Sequence, residues 1–264
     1  MPNEDESMTR LLDDDEPPAV QMVRRAGRSA FFLTCDHAGN RLPRALGTLG
    51  LPEFERQRHI AWDIGAAGLA LRLAEALDAP LVLQPYSRLV IDCNRPPDAS
   101  SSIASLSELT VIPGNRQVTP AAAEARRREI FQPYHDRIAS ELDARQGLGR
   151  ATIMITIHSF TPEFKGEARP WHVGVLYNRD TRLARILLGL LRAEPGLVVG
   201  DNQPYSVNDE TDYTIPVHAE RRGLPHAELE IRQDLIVDES GQMAWAARLA
   251  GVFRRAEDQL NRPL

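Results

Sequence analysis

The chain of 264 residues lacks several features that mark common classes of protein. Its two cysteines, Cys35 and Cys93, are too few for a disulfide framework and stand in apolar runs typical of buried thiols. No apolar run approaches the roughly 18 residues that span a bilayer, and the acidic start of the chain lacks a signal-peptide pattern. We therefore expect a cytoplasmic protein with no membrane partner.

An excess of positive charge is also missing. The formal net charge is -6, lysine occurs once, at Lys165, and the arginines are scattered along the chain. A nucleic-acid-binding protein normally concentrates basic residues on one face, so we expect no nucleic-acid partner. With 42% apolar and 26% charged residues, the composition is that of a folded globular protein.

Several familiar catalytic signatures are absent. The sequence contains no His-Glu-x-x-His helix, no cysteine cluster, no Gly-x-Ser-x-Gly turn, no P-loop and no dinucleotide fingerprint. These absences count against a zincin, a structural zinc finger, a serine α/β-hydrolase and an ATP or NAD enzyme.

Short apolar runs that alternate with helical patterns are what the sequence does contain. Residues 1–24 mix acids and prolines with little periodicity and predict a flexible acidic N-terminal arm. Over residues 25–264, runs such as "SAFFLTC", "RLVIDC", "ATIMITIHSF" and "HAELEIR" predict the strands of one α/β domain. The unbroken apolar run before His158 predicts a central strand, and Pro133 is expected to kink the helix that Thr119 caps. The loop over 94–118 is long enough to be functional.

Polar residues follow these predicted strands, where α/β sheets bind their ligands. They are His37, Asn94 with Arg95, His158, and Glu228 or Glu230 with Arg232. Two histidines near carboxylates suit a catalytic metal, which needs three nitrogen or oxygen ligands and an open position. Each residue taken alone also fits a structural role at the sheet edge.

A set of ordered stretches closely resembles the N-formylglutamate amidohydrolase family. They span roughly residues 30 to 237 and read "TCDHAGNRLP", "HIAWDIGAAGLA", "YSRLVIDCNRP", "TIHSFTP", "GVLYNRD", "DNQPYS" and "ELEIRQDLI". That family is similar to zinc-dependent exopeptidases. The resemblance implies a single-domain three-layer α/β sandwich with a mixed central sheet, of the phosphorylase/hydrolase-like kind.

The resemblance also implies an activity. It is the hydrolysis of the amide bond of N-formyl-L-glutamate, or a related N-acyl amino acid, to formate and L-glutamate, as a step in histidine degradation. The implied cofactor is zinc or another divalent metal, in a monomer or weak homo-oligomer. Two alternatives stay open: an amidohydrolase for a different N-acyl amino acid, and a non-catalytic protein that binds acidic metabolites and has lost tight metal binding.

Residue roles follow from laying the metallocarboxypeptidase pattern onto this chain. "IHSF" resembles the strand that delivers a histidine ligand, "EIRQ" the strand of the general base, and "CNR" the pair that holds a substrate carboxylate. The resemblance therefore implies His37 and His158 as metal ligands and Glu230 as the base. The substrate-binding candidates are Arg95, Asn94, Arg88, Arg232 and Tyr205.

The chain departs from this pattern at the third metal ligand. Exopeptidases carry His-x-x-Glu, but Asn40 stands where the glutamate is expected. Asp63 is the preferred replacement, with Asn40 and Asp36 as alternatives. Asp63 also fits a purely structural role as the N-cap of the helix that follows it.

Overall fold

A computed structural model describes residues 10–262 of the chain. The strands are Gln21–Val23 (β1), Phe31–Cys35 (β2), Leu81–Leu83 (β3), Leu106–Ser107 (β4), Thr110–Val111 (β5), Ile153–Phe160 (β6), Glu163–Phe164 (β7), Glu167–Ala168 (β8), Val173–Leu176 (β9), Val199–Asp201 (β10) and His226–Arg232 (β11). The α-helices are Glu53–Arg56 (α1), Ala66–Leu77 (α2), Pro120–Arg126 (α3), Gln132–Gly147 (α4), Arg182–Arg192 (α5) and Glu239–Leu260 (α6). None of these helices is long and apolar enough to cross a membrane.

Seven strands form a mixed central sheet in the order β1-β3-β2-β6-β11-β9-β10. Strands β3, β2, β6 and β11 are parallel to one another, while β1 and the pair β9 and β10 run in the opposite direction. The carboxyl ends of β2, β6 and β11 therefore meet at one edge. The long apolar strand predicted to be central is β6, and all eight of its residues are buried.

Helices cover the sheet on both faces. Phe31, Leu33, Ile155 and Leu229 pack against α2, α5 and α6 on one face, while Phe32 and its neighbours pack against α4 on the other. Fully burying one such apolar side chain contributes about 1.5–3 kcal/mol, so the two apolar faces hold the layers together. The predicted three-layer α/β architecture with a mixed sheet is confirmed.

The kink expected at Pro133 takes the form of a π-helical turn. Residues Arg127–Phe131 are π-helical and join α3 to α4, whose second residue is Pro133. Proline lacks the N–H and its ring would clash with the carbonyl four residues earlier, so the wider turn accommodates it.

The segment "RLVIDC" is not the predicted strand. Residues 88–90 form a turn, in which the Val90 N–H bonds to the Ser87 carbonyl, and the Asp92 N–H bonds to the Ser102 carbonyl. Val90 and Ile91 are buried in the α4-side core, so the run is apolar because of packing and not because of strand pairing.

The described part of the predicted N-terminal arm makes specific contacts with the domain. Leu11 is buried, the N–H groups of Leu11 and Leu12 bond to Glu129, and the Tyr86 hydroxyl donates to the Pro17 carbonyl. β1 then pairs with β3. Residues 10–24 thus pack onto the domain through isolated contacts that leave no periodic pattern; residues 1–9 of the predicted arm lie outside the described part of the chain.

Candidate functional site

The candidate site lies where β2, β6 and β11 end. The register pairs Glu230 with His158 and Glu228 with Thr156 across β11 and β6. Because alternate residues of a strand point to the same face, these four side chains share the α4-side face of the sheet. That face is apolar at the amino end of β6, at Met154, and carries these polar side chains toward the carboxyl ends of β6 and β11.

Three buried side chains converge at this edge: His37, Asp63 and His158. The Asp63 Oδ2 lies 2.8 Å from His158 Nδ1 and 3.3 Å from His37 Nδ1. One ligand atom from each residue lies within 4.8 Å of the others. Two ligands at 2.0–2.2 Å from a tetrahedral zinc are about 3.3–3.5 Å apart, so the spacing is close to that of a metal site.

Each imidazole is fixed by a carboxylate behind it. His37 Nε2 lies 2.7 Å from Asp92 Oδ1, and His158 Nε2 lies 3.0 Å from Asp36 Oδ2. Asp36 also accepts hydrogen bonds from the hydroxyl groups of Tyr134 and Thr214. Each imidazole therefore has a carboxylate at both of its ring nitrogens. A neutral ring whose Nε2 donates to Asp92 or Asp36 presents its Nδ1 lone pair toward Asp63.

This arrangement fits a cation. Lone pairs that face a carboxylate oxygen repel it unless positive charge stands between them. Burial lowers the pKa of His158, but Glu228, Asp36 and Asp63 outweigh burial and hold that pKa well above its ordinary value. Burial raises the pKa of Asp63, but the two histidines outweigh it and hold the pKa of Asp63 well below its ordinary value. Positive charge is therefore stabilised at this point, and two imidazoles with one carboxylate are a donor set that suits zinc.

Local structure explains why Asp63 reaches the group. Its backbone N–H donates to the His37 carbonyl at 3.0 Å, which ties the segment before α2 to the end of β2. The N-cap of α2 is Gly65, without a side-chain cap, so the Asp63 carboxylate does not cap the helix. The alternative ligands lie elsewhere: Asp36 holds His158, and the Asn40 amide donates to the Arg56 carbonyl.

The two glutamates of β11 stand beside this group. Burial raises the pKa of Glu228 to about 7. Burial, with the carboxylates of Asp63 and Glu228, raises the pKa of Glu230 well above its ordinary value. The Glu230 Oε2 is buried and has no hydrogen-bond partner among the described residues. Thr156 and the Asn94 amide, in contrast, lie within 3.5 Å of Glu228. The buried Oε2 of Glu230 is thus left for a ligand, whereas protein groups already contact the Oε2 of Glu228.

A cavity of about 440 Å³ opens in front of the glutamates and the histidines. Of the predicted site residues, it is lined by His37, Asp63, Arg88, Asn94, Arg95, His158, Tyr205 and Glu230. The structure does not bring Arg232 to its wall: the Arg232 guanidinium pairs with Asp234 at 2.8 Å.

The predicted substrate-binding side chains differ in how many of their hydrogen-bonding groups are already bonded to the protein. Arg88 donates from Nε and Nη2 to Asp92 at 3.0 and 2.6 Å, which completes a chain from Arg88 through Asp92 to His37. The Asn94 side-chain oxygen accepts hydrogen bonds from the backbone N–H groups of residues 213 and 214. Arg95 contacts the Thr211 carbonyl and lies 3.6 Å from Asp212, so part of its guanidinium is left for a ligand.

Sequence reasoning missed other parts of the site. Asp92 lies two residues before Asn94, and nothing in the sequence marks it as the partner of His37. His59 and Glu108 line the cavity from the segment before α2 and from the β4–β5 turn, the latter within the predicted functional loop. Arg169 stands behind three aromatic rings of the cavity wall.

A second histidine pair lies outside the cavity. His135 Nε2 donates to the Cys93 carbonyl at 2.8 Å, and His135 Nδ1 lies 2.9 Å from His218 Nε2. Burial lowers the pKa of His135 to about 4 and the pKa of His218 to about 2. Both rings are therefore neutral, and this pair belongs to the α4-side core.

Comparison with known sequences identifies the family. The sequence model of the N-formylglutamate amidohydrolase family matches residues 29–237, and the chain belongs to this family. The N-formylglutamate deformylase of Pseudomonas aeruginosa is 26% identical over 245 residues, which cover 87% of this chain and 90% of the relative. That of Pseudomonas putida is 28% identical over 186 residues, 64% of this chain and 68% of the relative. The chain is accordingly a hydrolase that acts on an amide bond, as the sequence predicted.

Solved structures share the fold. A gene product of Agrobacterium tumefaciens superimposes with a TM-score of 0.93 at 38% identity, covering 96% of this chain and all of the other. The N-formylglutamate amidohydrolase of Ralstonia eutropha has a TM-score of 0.62 at 16% identity, covering 90% of this chain and 99% of the other, which shows a common fold.

Proposed function

We propose that this protein is a metal-dependent amidohydrolase that cleaves N-formyl-L-glutamate to formate and L-glutamate. Metal dependence is supported by the convergence of His37 Nδ1, His158 Nδ1 and Asp63 Oδ2 at the cavity wall. Both Nε2 atoms lie beside further carboxylates. Family membership and the names of the Pseudomonas relatives support the substrate.

His37, Asp63 and His158 would hold the metal, with zinc the first choice for this donor set. A divalent metal ion supplies Lewis acidity and positive charge there, which polarises an amide carbonyl, acidifies water and favours the ionised form of Glu230. Asp92 and Asp36 keep the two imidazoles in the tautomer that presents Nδ1.

Glu230 has the position and environment of the general base. It projects from β11 beside His158, is buried, lines the cavity, and has no hydrogen-bond partner for its Oε2 among the described residues. In the proposed reaction Glu230 accepts a proton from the attacking water and delivers it to the leaving nitrogen. Glu228 is held by Thr156 and Asn94 and acts as its supporting neighbour.

Arg95 is the proposed partner of the α-carboxylate. Its guanidinium lines the cavity and is fixed on one side by the Thr211 carbonyl. A planar guanidinium can donate two parallel charge-assisted hydrogen bonds to a carboxylate. Asn94 supports Arg95 indirectly, because its amide oxygen holds the backbone that follows Thr211.

The proposal extends to the setting of the enzyme. Both cysteines are free and buried, which suits a reducing compartment and supports the predicted cytoplasmic location. A role in histidine degradation and a monomeric or weakly associated state stay predictions.

Formate release from N-formyl-L-glutamate tests the function directly. The purified protein should release formate, lose that activity after chelation and dialysis, and regain it with zinc. Matched assays with N-acetyl-L-glutamate and N-formyl-L-alanine separate this substrate from other N-acyl amino acids. Turnover of N-acetyl-L-glutamate but not of N-formyl-L-glutamate would assign a different N-acyl substrate to the enzyme. A protein that binds glutamate but has neither turnover nor metal would contradict the proposal.

A further inference from the structure

Arg169 is a buried cation without an acidic partner. Only 9% of it is exposed, and no carboxylate of the described residues lies within ion-pair distance of its guanidinium. Within the described part of the chain, its side chain makes one hydrogen bond, from Nη1 to the Tyr205 hydroxyl at 2.9 Å. A buried charge normally has a counter-charge, so this arrangement is incomplete in the protein alone.

Aromatic rings hold the guanidinium in place. It lies 4.5 Å from the ring centre of Phe164, 4.9 Å from that of Tyr205 and 6.0 Å from that of Phe160. All three rings line the cavity. Stacking on ring faces stabilises the cation and orients it but leaves its charge uncompensated.

The backbone of Arg169 is fixed as well. It follows the β7–β8 hairpin directly, and its N–H donates to the Pro162 carbonyl at 2.8 Å. The guanidinium of Arg232 lies 3.5 Å from the Arg169 carbonyl, which gives Arg232 a place in supporting this hairpin and not on the cavity wall.

The two arginines that line the cavity, Arg88 and Arg95, both have a carboxylate nearby. Arg88 is paired with Asp92 and lies 3.6 Å from Asp63, and Arg95 lies 3.6 Å from Asp212. Arg169 therefore supplies positive charge to the cavity that the described protein residues do not neutralise. A second substrate carboxylate would do so.

We infer that Tyr205 and Arg169 form the subsite for the side-chain carboxylate of the substrate. This inference rests on the proposed function. The Tyr205 hydroxyl accepts a hydrogen bond from Arg169 and can donate its own proton to a carboxylate in the cavity. Tyr205 touches the substrate, and Arg169 is a positioning residue that orients Tyr205 and balances the charge of the bound anion.

The test compares N-formyl-L-glutamate with N-formyl-L-glutamine, which has the same shape without the charge. The wild type should prefer the glutamate substrate. Arg169→Met should lower kcat/KM for N-formyl-L-glutamate about 10- to 100-fold, mainly through KM, because the hydrogen bond from Tyr205 to the substrate carboxylate loses the positive charge behind it. The loss with N-formyl-L-glutamine should be no more than about threefold.

Three further variants complete the design. Tyr205→Phe should weaken both substrates, because the hydroxyl can donate to a carboxylate or to an amide oxygen. Arg169→Lys keeps the charge and should retain the preference for the glutamate substrate. Arg248→Met removes another arginine stacked on an aromatic ring, that of Trp245 on α6, and should change neither substrate by more than about threefold.

The outcomes separate the two claims. A wild type without amidohydrolase activity on either substrate overturns the proposed function. An active wild type without a preference for glutamate, or an Arg169→Met variant that loses both substrates equally, overturns only the subsite. If Arg169→Met does not fold, Arg169→Lys decides: a folded lysine variant that loses both substrates equally shows a structural role.

Discussion

Replacing Asp92 by asparagine should weaken metal binding although Asp92 is not a proposed ligand. Its Oδ1 accepts from His37 Nε2 at 2.7 Å and from the Asn94 N–H at 2.9 Å, while Oδ2 accepts from Arg88. Asparagine has the same shape but one of its two terminal atoms becomes a donor.

Either orientation of the new amide is unfavourable. If its NH₂ group faces Arg88, donors oppose donors and both hydrogen bonds from Arg88 are lost. If it faces His37, the imidazole proton must move to Nδ1, which removes the lone pair that would bind the metal. Changing such a supporting partner typically lowers metal affinity 10- to 100-fold, or about 1.4–2.7 kcal/mol, and we expect a loss in this range.

Competition for zinc with a chromophoric chelator at neutral pH measures this loss. Asp143→Asn is the matched control, because Asp143 is 63% exposed and pairs with Arg222 far from the cavity. The control should bind zinc like the wild type. An Asp92→Asn variant that keeps its fold and its full zinc affinity would refute the assigned role of Asp92 in orienting His37.

Three more predictions follow from the buried groups. Glu230→Gln should keep its metal and lose about 100- to 10,000-fold in the rate of formate release; a near-normal kcat would place the base elsewhere. Cys35 and Cys93 are buried, and burial raises the pKa of both thiols, so neither should react with a thiol reagent until the protein unfolds; native labelling would contradict this. The pKa of His135 is about 4 in the folded chain and about 6.5 in the unfolded chain. Between these pH values only the unfolded chain binds the proton. The contribution of His135 to the free energy of unfolding therefore falls by about 3 kcal/mol as the pH drops from about 6.5 to about 4. Urea titrations at about pH 7 and pH 4.5 should show that the free energy of unfolding falls more in the wild type than in a His135→Gln variant. The variant is needed for comparison because other buried groups titrate in both proteins. Equal losses in the two proteins would contradict the assignment.

Much of the fold could be predicted because local signals agreed with it. The unbroken apolar run of β6 marked a strand covered on both faces, and the structure places it in the middle of the sheet. "RLVIDC" shows the limit of that signal. Apolar residues report burial, and a short buried turn has the same composition as a short buried strand.

The candidate site was predictable where residues follow strands. His37, His158 and Glu230 all lie at the carboxyl ends of parallel strands, so their proximity follows from topology. Asp63 needed the resemblance to a family, and the structure adds the hydrogen bond from its N–H to His37 that places it in the group.

Asp92 and Arg169 could not be found in this way. Asp92 lies in a turn whose direction depends on packing against the core, and Arg169 follows an exposed hairpin that carries no periodic signal. Their roles depend on partners more than 35 residues away in sequence, at His37 and Tyr205. Contacts of this kind arise from tertiary structure and leave no local pattern.

Anomalous diffraction at the zinc edge from crystals of the zinc-loaded protein tests the central claim most directly. We expect one strong peak per chain, about 2.0–2.2 Å from His37 Nδ1, His158 Nδ1 and an Asp63 carboxylate oxygen. A peak bound by other residues, or no peak in a protein that hydrolyses N-formyl-L-glutamate at full rate, would contradict the account.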